Sequence, residues 1–92
     1  MIKVLFVCTG NICRSPTAEG VFDKLVKEAG LDDDVHVESA GSTAYLVGEP
    51  PDRRSQAAAR QRGIDLSQQR ARQVNEADLR TFEYILAKDE GQ

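Results

Sequence analysis

A chain of 92 residues, 40% hydrophobic and 29% charged with seven glycines, has the makeup of one small globular domain with a thin core, not of a disordered or fibrous protein. Its net charge of -3, with 12 Lys and Arg dispersed among 15 Asp and Glu, offers no basic stripe and argues against a nucleic-acid partner. The only strongly apolar run near the start, residues 4–8, is too short for a signal-peptide core or a membrane span, so a cytoplasmic protein without a membrane partner is expected.

Residues 3–7 form a continuous β-branched and aromatic run ending at Thr9-Gly10-Asn11, the pattern of a strand buried on both faces of a parallel sheet with Cys8 at its carboxyl end. From Pro16 the apolar residues fall at Ala18, Val21, Phe22, Leu25, Val26 and Ala29, the spacing of a helix with one buried face. Ser15 is the expected N-cap, Pro16 a first-turn residue and Gly30 the stop. After the acidic turn Asp32-Asp33-Asp34, the alternation Val35-His36-Val37-Glu38 predicts an outer strand, completing a βαβ unit. Residues 39–51, rich in Gly, Ser, Thr and Pro, predict a loop, and residues 52–62, closed by Gly63, a second helix. Asn75 is placed to cap one further helical turn through Arg80, and Tyr84-Ile85-Leu86-Ala87 predicts a third buried strand.

Right-handed crossovers then give a three-layer α/β domain over residues 1–92, with a small parallel sheet of strand order 2-1-3 and helices on both faces. In that order the carboxyl end of the first strand is the switch point where ligands bind. Cys8 and Cys13 are five apart, which matches neither a C-x-x-C site nor a disulfide framework, and the single histidine, His36, completes no zinc site with them. Catalysis or simple burial is the expectation for the cysteines.

The segment Cys8-Thr9-Gly10-Asn11-Ile12-Cys13-Arg14-Ser15 runs from a strand end into a helix start, where unpaired backbone N–H groups and the helix dipole favour an anion. Gly10 and Asn11 tolerate the left-handed backbone that a tight cradle needs. Arg14 supplies a planar fork for two phosphoryl oxygens and favours thiolate at Cys8, the form that attacks. Ser15 can donate to that sulfur and ease its departure when an intermediate breaks down.

This string, followed by Pro16-Thr17-Ala18-Glu19, resembles the signature of the low-molecular-weight protein tyrosine phosphatases. Ser39-Ala40-Gly41-Ser42, Gly48-Glu49-Pro50-Pro51-Asp52, Gly63-Ile64-Asp65-Leu66-Ser67 and Arg70-Ala71-Arg72 extend the resemblance over nearly the whole chain. It implies hydrolysis of phosphotyrosine proteins or small aryl phosphates through a cysteinyl-phosphate, with Cys8 as nucleophile, Arg14 on the transition-state oxygens and no metal or cofactor. Inorganic phosphate or a similar oxyanion is the implied ligand of residues 9–15. Tyr45 matches an aromatic wall of the substrate cleft with Leu46 beside it, Ser42 a hydroxyl that supports the loop, and Cys13 a cysteine that pairs with the nucleophile under oxidation.

Departures from the family pattern are specific. Its general acid belongs to an Asp-Pro pair in the C-terminal third, and no Asp-Pro occurs here, so a domain lacking that acid, a fourth strand and a closing helix is expected, truncated at its C-terminus. Asp89 matches an aspartate near the family active site, read as structural with weak substitution for the acid as the alternative. Gln69 stands where the family usually has histidine, and Lys88 where methionine is common. A bare sheet edge would invite self-association. Two other functions compete: a noncatalytic phosphate or phosphopeptide binder, favoured by the missing acid, and an arsenate reductase on the same fold, which needs a third, distal cysteine that the sequence does not contain.

Overall fold

Alternation along the first strand sends Val4 and Phe6 to one side and Leu5 to the other, and each side becomes a separate core. The computed structural model describes residues 1–87, in which β1 (Ile2–Cys8), α1 (Arg14–Glu28), β2 (Val35–Gly41), α2 (Arg53–Gln61), α3 (Glu76–Thr81) and β3 (Tyr84–Ala87) follow in chain order. The sheet is parallel with order β2-β1-β3, so β1 is central. On one face Val4, Phe6 and Val37 meet Val26, Phe22 and Ala18 of α1, with the Phe6 and Phe22 rings edge to face at 5.9 Å. On the other, Leu5 and Ala40 pack under Phe82 and Val74. Helix α2 lies against α1 through Ala59, Ile64, Leu66 and Val21. The three-layer α/β arrangement with order 2-1-3 is thus the one the sequence predicts.

Three expectations change. Helix α1 begins at Arg14 behind Cys13, with no side-chain cap, so Ser15 is not the N-cap but a fully buried first-turn residue; its hydroxyl is committed to Cys8 and cannot turn back to the helix start. Strand β2 runs on to Gly41, because Ser39, Ala40 and Gly41 pair in register with Phe6, Val7 and Cys8, and this ladder overrides the turn-forming composition. Strand β3 forms where predicted, yet Tyr84, Ile85 and Leu86 are 56%, 38% and 43% exposed: the strand pairs with β1 on one side, and among the described residues little covers its faces. Asp89 and Lys88 lie outside the described residues.

The segment over the second face is held by charge. Asn75 and Asp78 form a reciprocal capping box for α3, and Arg72 donates to both Asp78 carboxylate oxygens at 3.0 and 3.1 Å and to Glu38 at 3.2 Å. The Arg72 guanidinium holds the Asp78 carboxyl below the usual carboxylate range, with the Asn75 N–H assisting against burial. An acid with a depressed folded value adds stability above its unfolded pKa of about 4, and that stability drains away as pH falls through the depressed value. Asp78→Asn is therefore expected to cost about 1–3 kcal/mol in urea unfolding at neutral pH. Parent and variant should converge in acid; a difference that stays constant across pH would contradict this account.

Candidate active site

The central strand delivers Cys8 to the sheet's carboxyl edge, the loop turns through residues 9–13, and α1 starts at Arg14, so the N–H groups of Asn11, Cys13 and Ser15 face the Cys8 sulfur at the positive end of a helix. The turn is made at Asn11, which is 3% exposed and whose φ of 58° lies in the left-handed region. Three hydrogen bonds hold it there. Asn11 Nδ2 donates to Ser15 Oγ at 2.8 Å and to Ser39 Oγ at 2.9 Å, while Oδ1 accepts from the Arg72 backbone N–H at 3.0 Å. The neighbouring strand fits closely: a Cβ on Gly41 would sit 3.0 Å from the Thr9 carbonyl and 3.2 Å from Asn11.

The outer side of the loop is fastened through its carbonyls. Ser42 N–H donates to Cys8 at 2.9 Å, the Thr43 hydroxyl and N–H both donate to Thr9, and Asp52 N–H donates to Ile12 at 2.6 Å. With these oxygens turned outward, the amides are left for the centre. Burial alone would push the Cys8 thiol up, but the Ser15 hydroxyl and the N–H groups of Ser15, Asn11 and Cys13 outweigh it and hold the thiol below its usual value. Ser15 has one proton and two acceptors in reach, Cys8 Sγ at 3.0 Å and the Ala40 carbonyl at 3.5 Å, so the nearer sulfur takes it when ionised. Cys13 differs. Burial, Asp52 and Cys8 push its thiol up against the Ser55 hydroxyl and Arg14.

Cys8, Thr9, Gly10, Ile12, Cys13 and Arg14 line a cleft of about 720 Å³ that continues past Thr17 and Ala18 to Ser55 on α2. That volume accommodates a small aryl phosphate. Among the described residues no carboxylate lines it.

Of the residues singled out in the sequence, 8–15 come together as one cradle. The others are less uniform. Ser42 braces the loop by its backbone, and the hydroxyl that reaches into the network is Ser39's, which the predicted loop boundary concealed. Leu46 packs over Gly10, whereas Tyr45 is 84% exposed and is not part of the cleft lining. Both cysteines are free thiols, Cys8 buried and Cys13 exposed. Gln69 donates from Nε2 to the Pro16 carbonyl at 3.2 Å and leaves a buried Oε1 without a hydrogen-bond partner among the described residues. Sequence reasoning missed Ser39, Glu19, Arg72 and Ser55 as parts of this site. The strings Ser39-Ala40-Gly41-Ser42, Pro16-Thr17-Ala18-Glu19 and Arg70-Ala71-Arg72 carried the signal for the first three, and nothing local marked Ser55.

A family model described as low molecular weight phosphotyrosine protein phosphatase matches residues 3–92. A human protein of that name is 49% identical over 88 residues, covering 96% of this chain and 55% of its own length. The crystal structure of YfkJ from Bacillus subtilis superposes with a TM-score of 0.92 at 47% identity, covering 95% of this chain and 55% of that one. Vibrio vulnificus Wzb in complex with benzylphosphonate gives a TM-score of 0.84 at 33% identity, covering 98% and 60%. The chain spans little more than half the length of the human and Bacillus subtilis relatives.

Proposed function

The chain belongs to the low molecular weight phosphotyrosine protein phosphatase family, and from that premise we propose that it hydrolyses aryl phosphate monoesters, phosphotyrosine in proteins among them, with Cys8 as nucleophile. One observation carries the reading: a sulfur at a strand end encircled by a hydroxyl and three backbone N–H groups that favour its ionised form.

In this mechanism the phosphoryl oxygens occupy the loop amides and the Arg14 fork, which places phosphorus over Cys8 Sγ. The thiolate attacks phosphorus as the P–O bond to the aryl oxygen breaks, leaving a cysteinyl-phosphate and an aryl oxide. Water then attacks phosphorus, the P–S bond breaks, and inorganic phosphate leaves as the thiolate is restored. Ser15, donating to the sulfur, stabilises the negative charge that returns to it in the second step. No cofactor enters these steps. Free thiols at both loop cysteines suit a reducing compartment such as the cytoplasm.

The sequence holds no Asp-Pro pair and no carboxylate lines the cleft among the described residues, which favours a second reading in which the 92 residues bind phosphate or a phosphopeptide without turnover. Leaving groups separate the two. An activated aryl phosphate, whose oxide needs no proton, should be hydrolysed with a phosphoryl group trapped on Cys8 after acid quenching, while an alkyl phosphate should react about 10²–10⁴ times more slowly. Phosphate binding with neither turnover nor a trapped phosphocysteine would establish the binder instead.

A further inference from the structure

Charge is mixed along the chain as a whole, yet residues 53–72 hold six of its 12 basic residues, all arginine, against a single carboxylate, Asp65. Two of these arginines open α2. Arg53 and Arg54 are its first residues, at the positive end of the helix dipole, where a carboxylate stabilises a helix and a cation opposes it. Both are exposed, and among the described residues neither guanidinium has a hydrogen bond or an ion pair. Helix stability therefore argues against the two cations that stand there.

Their place beside the cleft is fixed from both sides. Asp52 N–H donates to the Ile12 carbonyl at 2.6 Å, which ties the start of α2 to the phosphate loop, and Ser55 lines the far end of the cleft. The Asp52 carboxylate is committed to its own helix, accepting from the Arg54 and Ser55 N–H groups at 3.0 and 3.3 Å. Beyond the cradle the lining residues Thr17, Ala18, Val21 and Ser55 carry no charge, so the first turn of α2 brings the unpaired charge to that rim. We infer that Arg53 and Arg54 are specificity-determining residues that select phosphotyrosine peptides with an acidic side chain next to the phosphorylated residue. The inference deepens the phosphatase reading proposed above and rests on it. Charge complementarity carries it: a peptide that seats its phosphotyrosine in the cradle and runs toward α2 meets two guanidinium forks, which match the carboxylates of Asp and Glu. Both forks are open to solvent, so the attraction is screened by salt.

Two phosphotyrosine peptides that differ only in carrying Asp and Glu, or Asn and Gln, beside the phosphotyrosine provide the test through the ratio of their kcat/KM values. The acidic peptide should be preferred about fivefold at roughly 0.15 M salt, and more strongly as salt is lowered. Arg53→Glu combined with Arg54→Glu puts carboxylates where the dipole favours them, so α2 is retained, and the preference should reverse. Arg60→Gln, in the last turn of α2, should alter the ratio less than about twofold, since that turn lies beyond the range of an exposed charge at this salt. A ratio near one in the parent, a preference that survives the double reversal, or an equal loss in Arg60→Gln would overturn the inference, and continued turnover of a small aryl phosphate would leave the phosphatase reading standing. If the parent turns over neither peptide nor the small aryl phosphate, that reading fails instead. The same ratio is then read from the two peptides' Kd values by fluorescence anisotropy, with the same outcomes for and against.

Discussion

Replacing Cys8 by serine is expected to lower turnover of an activated aryl phosphate by about 10⁴-fold or more while inorganic phosphate still binds. The two effects part because they rest on different atoms. Binding uses the amides of the loop, and these are fixed by outward carbonyl bonds from Ser42, Thr43 and Asp52 and by Asn11, none of which involves the Cys8 side chain. Attack uses the ionised sulfur, which the Ser15 hydroxyl and three N–H groups stabilise. A serine hydroxyl in the same ring remains protonated at neutral pH, since these donors bring a thiol below its usual value but start from a far weaker acid in serine. Cys13 cannot take over the reaction. Its thiol is pushed up by burial, Asp52 and Cys8, and what it gives the Cys8 sulfur is its backbone N–H. Steady-state kinetics and phosphorus NMR titration with phosphate check both halves; a Cys8→Ser chain within tenfold of the parent would place the nucleophile elsewhere.

The elements legible in the sequence were those whose signal is local. A β-branched run into a glycine turn, then an apolar stripe at helical spacing ended by Gly30, is enough to set β1, the loop and α1, and a central β1 follows from the handedness of the two crossovers. What escaped depended on long-range pairing. Ser39 to Gly41 have the composition of a loop and become strand only because β1 offers a matching ladder, and it is Ser39, not the Ser42 that the resemblance indicated, whose hydroxyl meets Asn11. Ser15 beside Pro16 has the local features of a helix cap, and its burial against Cys8 is a consequence of the loop's closure, which no spacing rule encodes. Arg72 reaches far along the chain: its backbone N–H meets Asn11 across 61 positions while its guanidinium ties Asp78 to Glu38, so the second face of the sheet and the cradle share one residue. Strand β3 was legible as a strand but not as an exposed one, because an apolar run reports preference for burial and not whether a partner is present.

Arg14→Lys is expected to reduce kcat/KM by about 10²–10³ while the pH profile for alkylation of Cys8 stays close to that of the parent. The separation follows from where the charge acts. Arg14 is the first residue of α1 and lines the cleft, and in the proposed mechanism its planar fork meets two phosphoryl oxygens as charge spreads over them in the transition state. Lysine retains a positive charge but presents a single ammonium point, so it can follow one oxygen and not two. The groups that chiefly lower the Cys8 thiol are the Ser15 hydroxyl and the N–H groups of Ser15, Asn11 and Cys13, all of which remain in the variant. A guanidinium that worked mainly by ionising the nucleophile would give the opposite result, with alkylation slowing as much as turnover and both recovering at higher pH. Comparing the two rates in one variant thus distinguishes a residue that holds the transferring group from one that activates the sulfur, and Arg14→Ala, lacking fork and charge together, should lose turnover further still.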